Sequence, residues 1–102
     1  MALNNFKIKI LPRAKEEITE ICCYYDSKSV GFGKIFYKIL KEHISTLKNI
    51  PFFENRYNII RVLPLKKFPY SIHFSIDEYE KIIFIKAIIS DYQNPENTRI
   101  KT

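Results

Sequence analysis

One stretch of nine residues constrains the fold of this 102-residue chain more than any other. Residues 81–89, KIIFIKAII, are almost entirely apolar, and most of them are β-branched. The run is well short of the roughly 18 apolar residues that a membrane-spanning helix needs. It is typical of a β-strand that is covered on both faces or lies at the centre of a sheet. The rest of the sequence is therefore expected to supply neighbouring strands and a layer that covers them.

Three other segments have the pattern of strands. The first, NFKIKILP at residues 5–12, alternates apolar side chains with lysines and stops at Pro12. The second is RYNIIRVL at residues 56–63, which ends before Pro64, and the third is YSIHFSI at residues 70–76. Alternation of this kind indicates strands with one buried face. With the apolar run, these segments predict four strands.

The third strand has a defined start and two distinct faces. Pro69 fixes its own φ and biases Phe68 towards an extended backbone, so the strand begins at a fixed point. Phe68 is expected to fill the end of the core. Residues 77–80, DEYE, form the predicted turn to the last strand. The expected core face carries Tyr70, Ile72, Phe74 and Ile76, and the opposite face carries Ser71, His73 and Ser75.

Two amphipathic helices are predicted between the first two strands. The first covers residues 13–29, and the second runs from Phe32 to about Asn49, before Pro51. A link as short as SVGFG should make them an antiparallel hairpin. The apolar stripe of the first helix consists of Ile18, Ile21, Cys22 and Tyr25, at the spacing of one helix face.

The order of these elements predicts the fold class. A β-α-α-β-β-β chain indicates an α+β domain, in which a helical hairpin packs on one face of a mostly antiparallel, twisted sheet. Residues 1–102 are long enough for one domain with a single core.

Positive charge dominates the composition and is unevenly spread. The net charge is +6, and residues 55–76 contain four cations and no Asp or Glu. Such a charge on a small domain favours an acidic partner, such as nucleic acid or an acidic protein segment. The four cations are Arg56, Arg61, Lys66 and Lys67.

Cysteine usage indicates a reducing compartment. Cys22 and Cys23 are adjacent, and consecutive residues are too close to form an ordinary structural disulfide. Two thiols with only His43 and His73 as further nitrogen ligands do not suggest a zinc site. The first residues lack the order of a secretory signal. We therefore expect a cytoplasmic protein without a metal, a cofactor or a membrane anchor.

Several short motifs occur in a fixed order along these elements. They are LPRAKEEITEICCYYD, GFG at the start of the second helix, ISTLKNIP, Arg61, FPYSIHF, IIFIKAI and a terminal NP with a later arginine. In this order they resemble the RelE/ParE superfamily of toxins from bacterial type II toxin–antitoxin systems. The chain looks most similar to the ParE-type, plasmid stabilisation branch of that superfamily.

The resemblance implies both a partner and a target. It implies a small basic toxin that a cognate antitoxin, encoded alongside it, wraps and neutralises. Family members that resemble ParE inhibit DNA gyrase, and those that resemble RelE cleave messenger RNA on the ribosome. For this chain the resemblance therefore implies growth inhibition through one of these two targets.

The ribonuclease branch requires particular residues. Metal-independent RNA cleavage needs acid–base groups and a cation that stabilises charge on the phosphate. The resemblance implies cations on the central strands and an arginine with a tyrosine or histidine after the last strand. In this chain the candidates are Arg61, Lys66 or Lys67, His73 and Tyr92.

The segment after the last strand departs from the ribonuclease pattern. Where that branch places Arg, Tyr or His, this sequence has Ser90, Asp91 and Asn97. Many ParE-like relatives have a histidine at the position of Ser90. The sequence therefore favours gyrase as the target, with the ribonuclease and a degenerate, non-toxic binding module as alternatives.

Each candidate residue also has a structural explanation. Arg61 could pair with a carboxylate inside the fold, and His73 could be a surface residue between two serines. Lys66 and Lys67 could form a solvated turn, or they could contact phosphate or an acidic partner. An antitoxin segment is expected to pair with an exposed sheet edge or to enter the apolar groove between the helical hairpin and the sheet.

Overall fold

The structure is a computed structural model that describes residues 6–48, 55–57 and 59–92, with 55–57 described by their backbone. Two helices follow the first strand, and four strands follow the helices. None of the helices in these ranges is long and apolar enough to cross a bilayer. The elements are β1 (Lys7–Ile10), α1 (Pro12–Lys28), α2 (Phe32–Leu47), β2 (Asn55–Tyr57), β3 (Ile60–Pro64), β4 (Tyr70–Asp77) and β5 (Ile82–Ser90).

The strands form one mixed sheet in the order β1-β5-β4-β3-β2. The predicted α+β class and the position of the helical hairpin between the first strand and the rest are confirmed. β5, β4, β3 and β2 pair antiparallel, but β1 pairs parallel with β5. The prediction missed this parallel edge because the order of elements along a chain does not specify which edge the first strand joins.

The predicted strand at residues 56–63 is wrong as a single element. The chain reverses within it, so that β2 and β3 pair antiparallel and Tyr57 faces Ile60 in the register. The sheet therefore has five strands where four were predicted. No Gly or Pro occurs between Tyr57 and Ile60, and a single turn-favouring residue, Asn58, is too weak a signal to divide an apolar segment into two strands.

The helices cover one face of the sheet and supply half of the core. β5 is also buried on the opposite face, at Ala87 and Ile89, which confirms the prediction for the apolar run. From the helices the core takes Ala14, Ile18, Ile21, Phe36, Leu40, Ile44 and Leu47. From β4 and β5 it takes Ile72, Phe74, Ile83, Ile85 and Ile88.

A close approach between the helices depends on Gly33. A Cβ atom at this position would lie 2.5 Å from the backbone oxygen of Cys22 and 2.9 Å from the carboxyl carbon of Asp26. The Gly33 N–H donates to Asp26 Oδ1 at 2.8 Å. The carboxylate therefore binds one of the unpaired N–H groups at the start of α2, and glycine lets the two helices meet.

Glu17 on α1 continues the edge of the sheet where β1 ends. The Leu11 N–H donates to the Ile85 oxygen at 2.9 Å, and β1 goes no further. Further along β5, the Ile88 N–H donates to Glu17 Oε1 at 2.8 Å. Arg13 Nε donates to Glu17 Oε2 at 3.0 Å. α1 is thus fixed against the last third of β5.

Candidate functional site

The β3–β4 connection holds two exposed lysines between buried anchors. Leu65 and Phe68 are buried, while Lys66 and Lys67 are exposed. The Leu65 N–H donates to the Tyr70 oxygen, and the Tyr70 N–H donates to the Phe68 oxygen, both at 2.9 Å. We call Lys66 and Lys67 the basic turn. Neither side chain forms an ion pair with a described residue.

Lys67 adopts a backbone conformation that side chains disfavour. Its φ is +74°, in the left-handed region, which costs roughly 1–2 kcal/mol for a residue with a Cβ. Strained residues of this kind persist only where the surrounding structure fixes them, and they are frequent at functional sites. The buried neighbours Leu65 and Phe68 supply that support.

His43 on α2 connects the basic turn to the helices. His43 Nδ1 lies 2.8 Å from the Ile39 oxygen, and the Lys66 N–H approaches His43 Nε2 at 3.4 Å. The geometry fits an imidazole that donates from Nδ1 and accepts at Nε2. Nothing in the sequence indicates this role, because His43 and Lys66 are 23 positions apart.

The corner before β4 belongs to an aromatic cluster. Its ring centroids lie 5.1–6.3 Å apart, mostly edge to face, as aromatic pairs prefer. Burial raises the pKa of Tyr25, and the neighbouring Tyr70, Tyr24 and Tyr92 raise it further. The pKa of Tyr70 is raised by burial and then by Tyr24. The cluster consists of Tyr25, Phe32, Phe36, Phe68 and Tyr70.

The end of β5 is fixed by hydrogen bonds, which we call the terminal clamp. The Ser71 hydroxyl donates to Asp91 Oδ1 at 2.7 Å, and the Asp91 N–H donates to the Pro69 oxygen at 2.9 Å. The Tyr92 N–H donates to Ser90 Oγ at 3.2 Å. Ser90 and Asp91 therefore hold β5 against the start of β4. Tyr92 itself is 86% exposed.

The sheet separates two of the predicted catalytic residues. Arg61 pairs with Phe74 and so lies on the helix-covered side, where it is half-buried. His73 pairs with Val62 and lies on the opposite side, because neighbouring residues of a strand alternate between faces. The structure therefore does not bring Arg61 and His73 together on one face.

Tyr92 lies towards another part of the sheet. It follows Ser90, which pairs with Tyr70, whereas Arg61 pairs with Phe74 four residues further along β4. Four residues of strand span about 13 Å. Arg56 lies in β2, and its side chain is outside the described residues, as is Asn97. The roles of all these residues stay predictions.

A groove of about 500 Å³ follows the outer seam between α1 and α2. Ile18, Leu40 and Ile44 contribute apolar lining, and Lys15 and Lys41 also border the groove.

Cys22 and Cys23 line the groove as free thiols. Burial raises the pKa of the Cys22 thiol, followed by the effects of Asp26 and Cys23, so this thiol is less reactive than an ordinary one at neutral pH. Among the described residues, no group of three or more His, Cys, Asp or Glu side chains could hold a metal.

The groove and the basic turn use different faces of α2. Tyr37, Lys41 and Ile44 border the groove, whereas His43 contacts the basic turn. On a helix with 3.6 residues per turn, His43 lies about 130° from the mean direction of these groove residues. A partner in the groove could therefore leave the basic turn uncovered.

Comparison with solved structures identifies a similar fold. A chain of the "Chromosomal ParDE TA system from P. aeruginosa" superposes with a TM-score of 0.75 and is 17% identical in sequence. The match covers 85% of this chain and 97% of that chain. No protein-family model and no curated protein matches the sequence. At this identity the likeness establishes the fold.

Proposed function

We propose that this protein is the toxin of a type II toxin–antitoxin system, is ParE-like, acts in the cytoplasm and inhibits DNA gyrase. The observation that carries the proposal is the fold shared with a chain of a ParDE TA system over 85% of this chain. The ordered motifs of the sequence support the same assignment. A cognate antitoxin would neutralise the protein, as the name of that system implies for its own components.

The basic turn is the proposed contact with the target. Lys66 and Lys67 are exposed, and their positions are set by buried Leu65 and Phe68 and by the hydrogen bond to His43. A turn whose backbone is already held presents its two cations to an acidic surface at a smaller entropic cost than a mobile loop does. Arg61 and Arg56 are proposed as further cations of this surface.

The seam between the helices is the proposed antitoxin site. An amphipathic helix inserts an apolar face into grooves of this kind, and the partly exposed side chains of Ile10, Cys22 and Tyr37 supply accessible apolar surface there. An acidic segment suits a body with a net charge of +6, and Lys15 and Lys41 border the groove.

Two observations weigh against the ribonuclease alternative. Acid–base catalysis needs its groups within reach of one phosphate, but Arg61 and His73 lie on opposite faces of the sheet. Moreover, Ser90 and Asp91 are engaged in the terminal clamp. A ribonuclease built from Arg61, His73 and Tyr92 would require a different arrangement of these side chains.

The deciding experiment measures growth and gyrase activity together. Inducible expression of the protein should stop growth, and co-expression of the adjacent gene should restore it. The purified protein should block supercoiling by gyrase and leave translated messages intact. Cleavage of messages with gyrase unaffected would make it a ribonuclease. Normal growth without the adjacent gene would favour the non-toxic binding module.

A further inference from the structure

A pocket of about 290 Å³ lies between α1 and the last residues of β5, apart from the groove and the basic turn. Its helix side is formed by residues 17, 20, 21 and 24, which lie on one face of α1. Its sheet side is formed by residues 70, 88 and 90. None of the functions proposed above uses it.

The pocket has an apolar floor and aromatic walls. Ile21 and Ile88 are 7% and 3% exposed and form the floor. Tyr24 and Tyr70 stand on opposite sides, one from the helix and one from the sheet. The Tyr24 ring is half-exposed and already attracts a cation, because Lys28 Nζ lies 5.2 Å from its centroid.

The polar groups of the pocket include three oxygen-bearing side chains that can accept hydrogen bonds. Glu17 is held rigidly by the Ile88 N–H and Arg13. Glu20 forms no hydrogen bond or ion pair with a described residue. Ser90 Oγ accepts one hydrogen bond, from the Tyr92 N–H, and has a further lone pair. Because Arg13 pairs with Glu17, the carboxylate of Glu20 is the one whose negative charge no described residue compensates at this site.

We propose that this pocket binds the guanidinium group of an arginine that a protein partner presents. A guanidinium is planar, always charged and carries only donors, so it can stack on Tyr24 while it donates to Glu20 and Ser90. An ammonium group lacks the planar stacking surface. A nucleic acid is disfavoured because its phosphates would be repelled by Glu20, whose charge no described residue compensates.

The test uses the free, full-length protein and a small probe. N-acetyl-argininamide is titrated while the amide signals of Ile88 and Ser90 are followed by NMR. The neutral isostere N-acetyl-citrullinamide is the matched ligand control. We expect the chemical shifts of these amides to change and to saturate as the arginine probe is added. The citrulline probe should bind about fivefold more weakly, because it lacks one solvent-exposed charge interaction. Because neither antitoxin nor gyrase is involved, failure of this experiment is distinguishable from failure of the proposed function.

Two carboxylate variants locate the binding site. Glu20→Gln should weaken arginine binding about fivefold. Glu16→Gln removes the same charge from an exposed position on α1 that does not line the pocket, and it should bind the probe as the unchanged protein does. Both positions are exposed, so neither change should affect folding.

Three outcomes would overturn the proposal. Equal binding of the citrulline and arginine probes would show that the charge is not recognised. Equal losses in the two Gln variants would indicate a general electrostatic effect. Tighter binding of guanosine monophosphate than of the arginine probe, with loss in Glu20→Gln, would identify a nucleotide-base site instead.

Discussion

The two turns at the ends of β4 share a backbone conformation but differ in their surroundings. Lys67 in the β3–β4 turn has a φ of +74°, and Lys81 in the β4–β5 turn has a φ of +60°. Each lysine therefore occupies the region that favours glycine, at a cost of roughly 1–2 kcal/mol. The same conformational cost is borne at both ends of one strand.

The neighbours of the two lysines are different. Lys81 follows an acidic turn, its Nζ lies 5.4 Å from the centroid of the Phe6 ring, and Asp77 Oδ1 binds the Glu80 N–H at 2.9 Å. Lys67 has buried anchors and no acidic residue in its turn. We infer that Lys81 serves the fold, whereas Lys67 presents an uncompensated charge. Backbone strain alone does not distinguish these roles, but the surrounding charges do.

The largest expected difference concerns the anchors of the two turns. Phe68→Ala should destabilise the protein by about 3–5 kcal/mol, because a buried ring in the aromatic cluster is lost. Tyr79→Ala, in the other turn, removes a ring that is 92% exposed and should change stability by less than about 0.5 kcal/mol. Urea denaturation of both variants measures this difference. Similar values for the two would mean that the basic turn is not anchored.

The second difference concerns function. In Lys66→Gln/Lys67→Gln, we expect inhibition of gyrase to weaken by about tenfold or more, because two charge-assisted contacts are lost. Lys81→Gln is the control and should inhibit as the unchanged protein does. Supercoiling assays over a range of protein concentrations give the comparison, and thermal midpoints check the fold. Equal inhibition by the double variant and the control would remove the basic turn from the proposed target surface.

The third difference is smaller and concerns strain. Lys67→Gly and Lys81→Gly both remove the strain of a left-handed backbone, but glycine also makes the unfolded chain more flexible. The net result should be a stabilisation of about 0.5–1 kcal/mol for each variant. We expect Lys81→Gly to gain less, because it also loses the contact with Phe6. Of these two variants, only Lys67→Gly should inhibit gyrase less than the unchanged protein does. If Lys67→Gly were less stable than the unchanged protein, its side chain would have a structural role.

Much of the fold could be predicted because it depends on local patterns. The apolar run of β5, the stripes of both helices and the start of β4 at Pro69 all follow from periodicity and from the chemistry of proline. The reversal between β2 and β3 and the parallel pairing of β1 could not be predicted. The reversal is marked in the sequence by a single turn-favouring residue, Asn58, without Gly or Pro, and the parallel edge depends on long-range pairing, for which the sequence carries no signal.

The candidate site was less predictable than the fold. The exposure of Lys66 and Lys67 follows from the apolar residues on either side of them. By contrast, the contact of His43 with the turn and the bond between Ser71 and Asp91 join residues that are 23 and 20 positions apart. Such hydrogen bonds are specified by the packed structure, and a single sequence does not show which polar residues will meet.

The smallest expected difference between the ends of β4 depends on pH. Burial raises the pKa of Tyr25 and Tyr70 above the ordinary value of 10.0. Above about pH 10 the unfolded chain loses these protons before the folded protein does, so stability falls as the pH rises towards the folded pKa values. Below about pH 10 both hydroxyls are neutral in the folded and the unfolded chain, so the stability that their burial as neutral groups contributes is fully present. Hydrogen exchange at alkaline pH should therefore show the aromatic-cluster end opening before the β4–β5 turn.

Tyr70→Phe isolates this effect, because it keeps the ring and removes the ionisable group. The variant should lose less stability than the unchanged protein between neutral pH and pH values above 10, whereas Tyr79→Phe in the exposed turn should behave as the unchanged protein does. Urea denaturation at several pH values measures both. Identical pH profiles for Tyr70→Phe and the unchanged protein would mean that the hydroxyl of Tyr70 is solvated in the folded state, and the two ends of β4 would then respond alike to base.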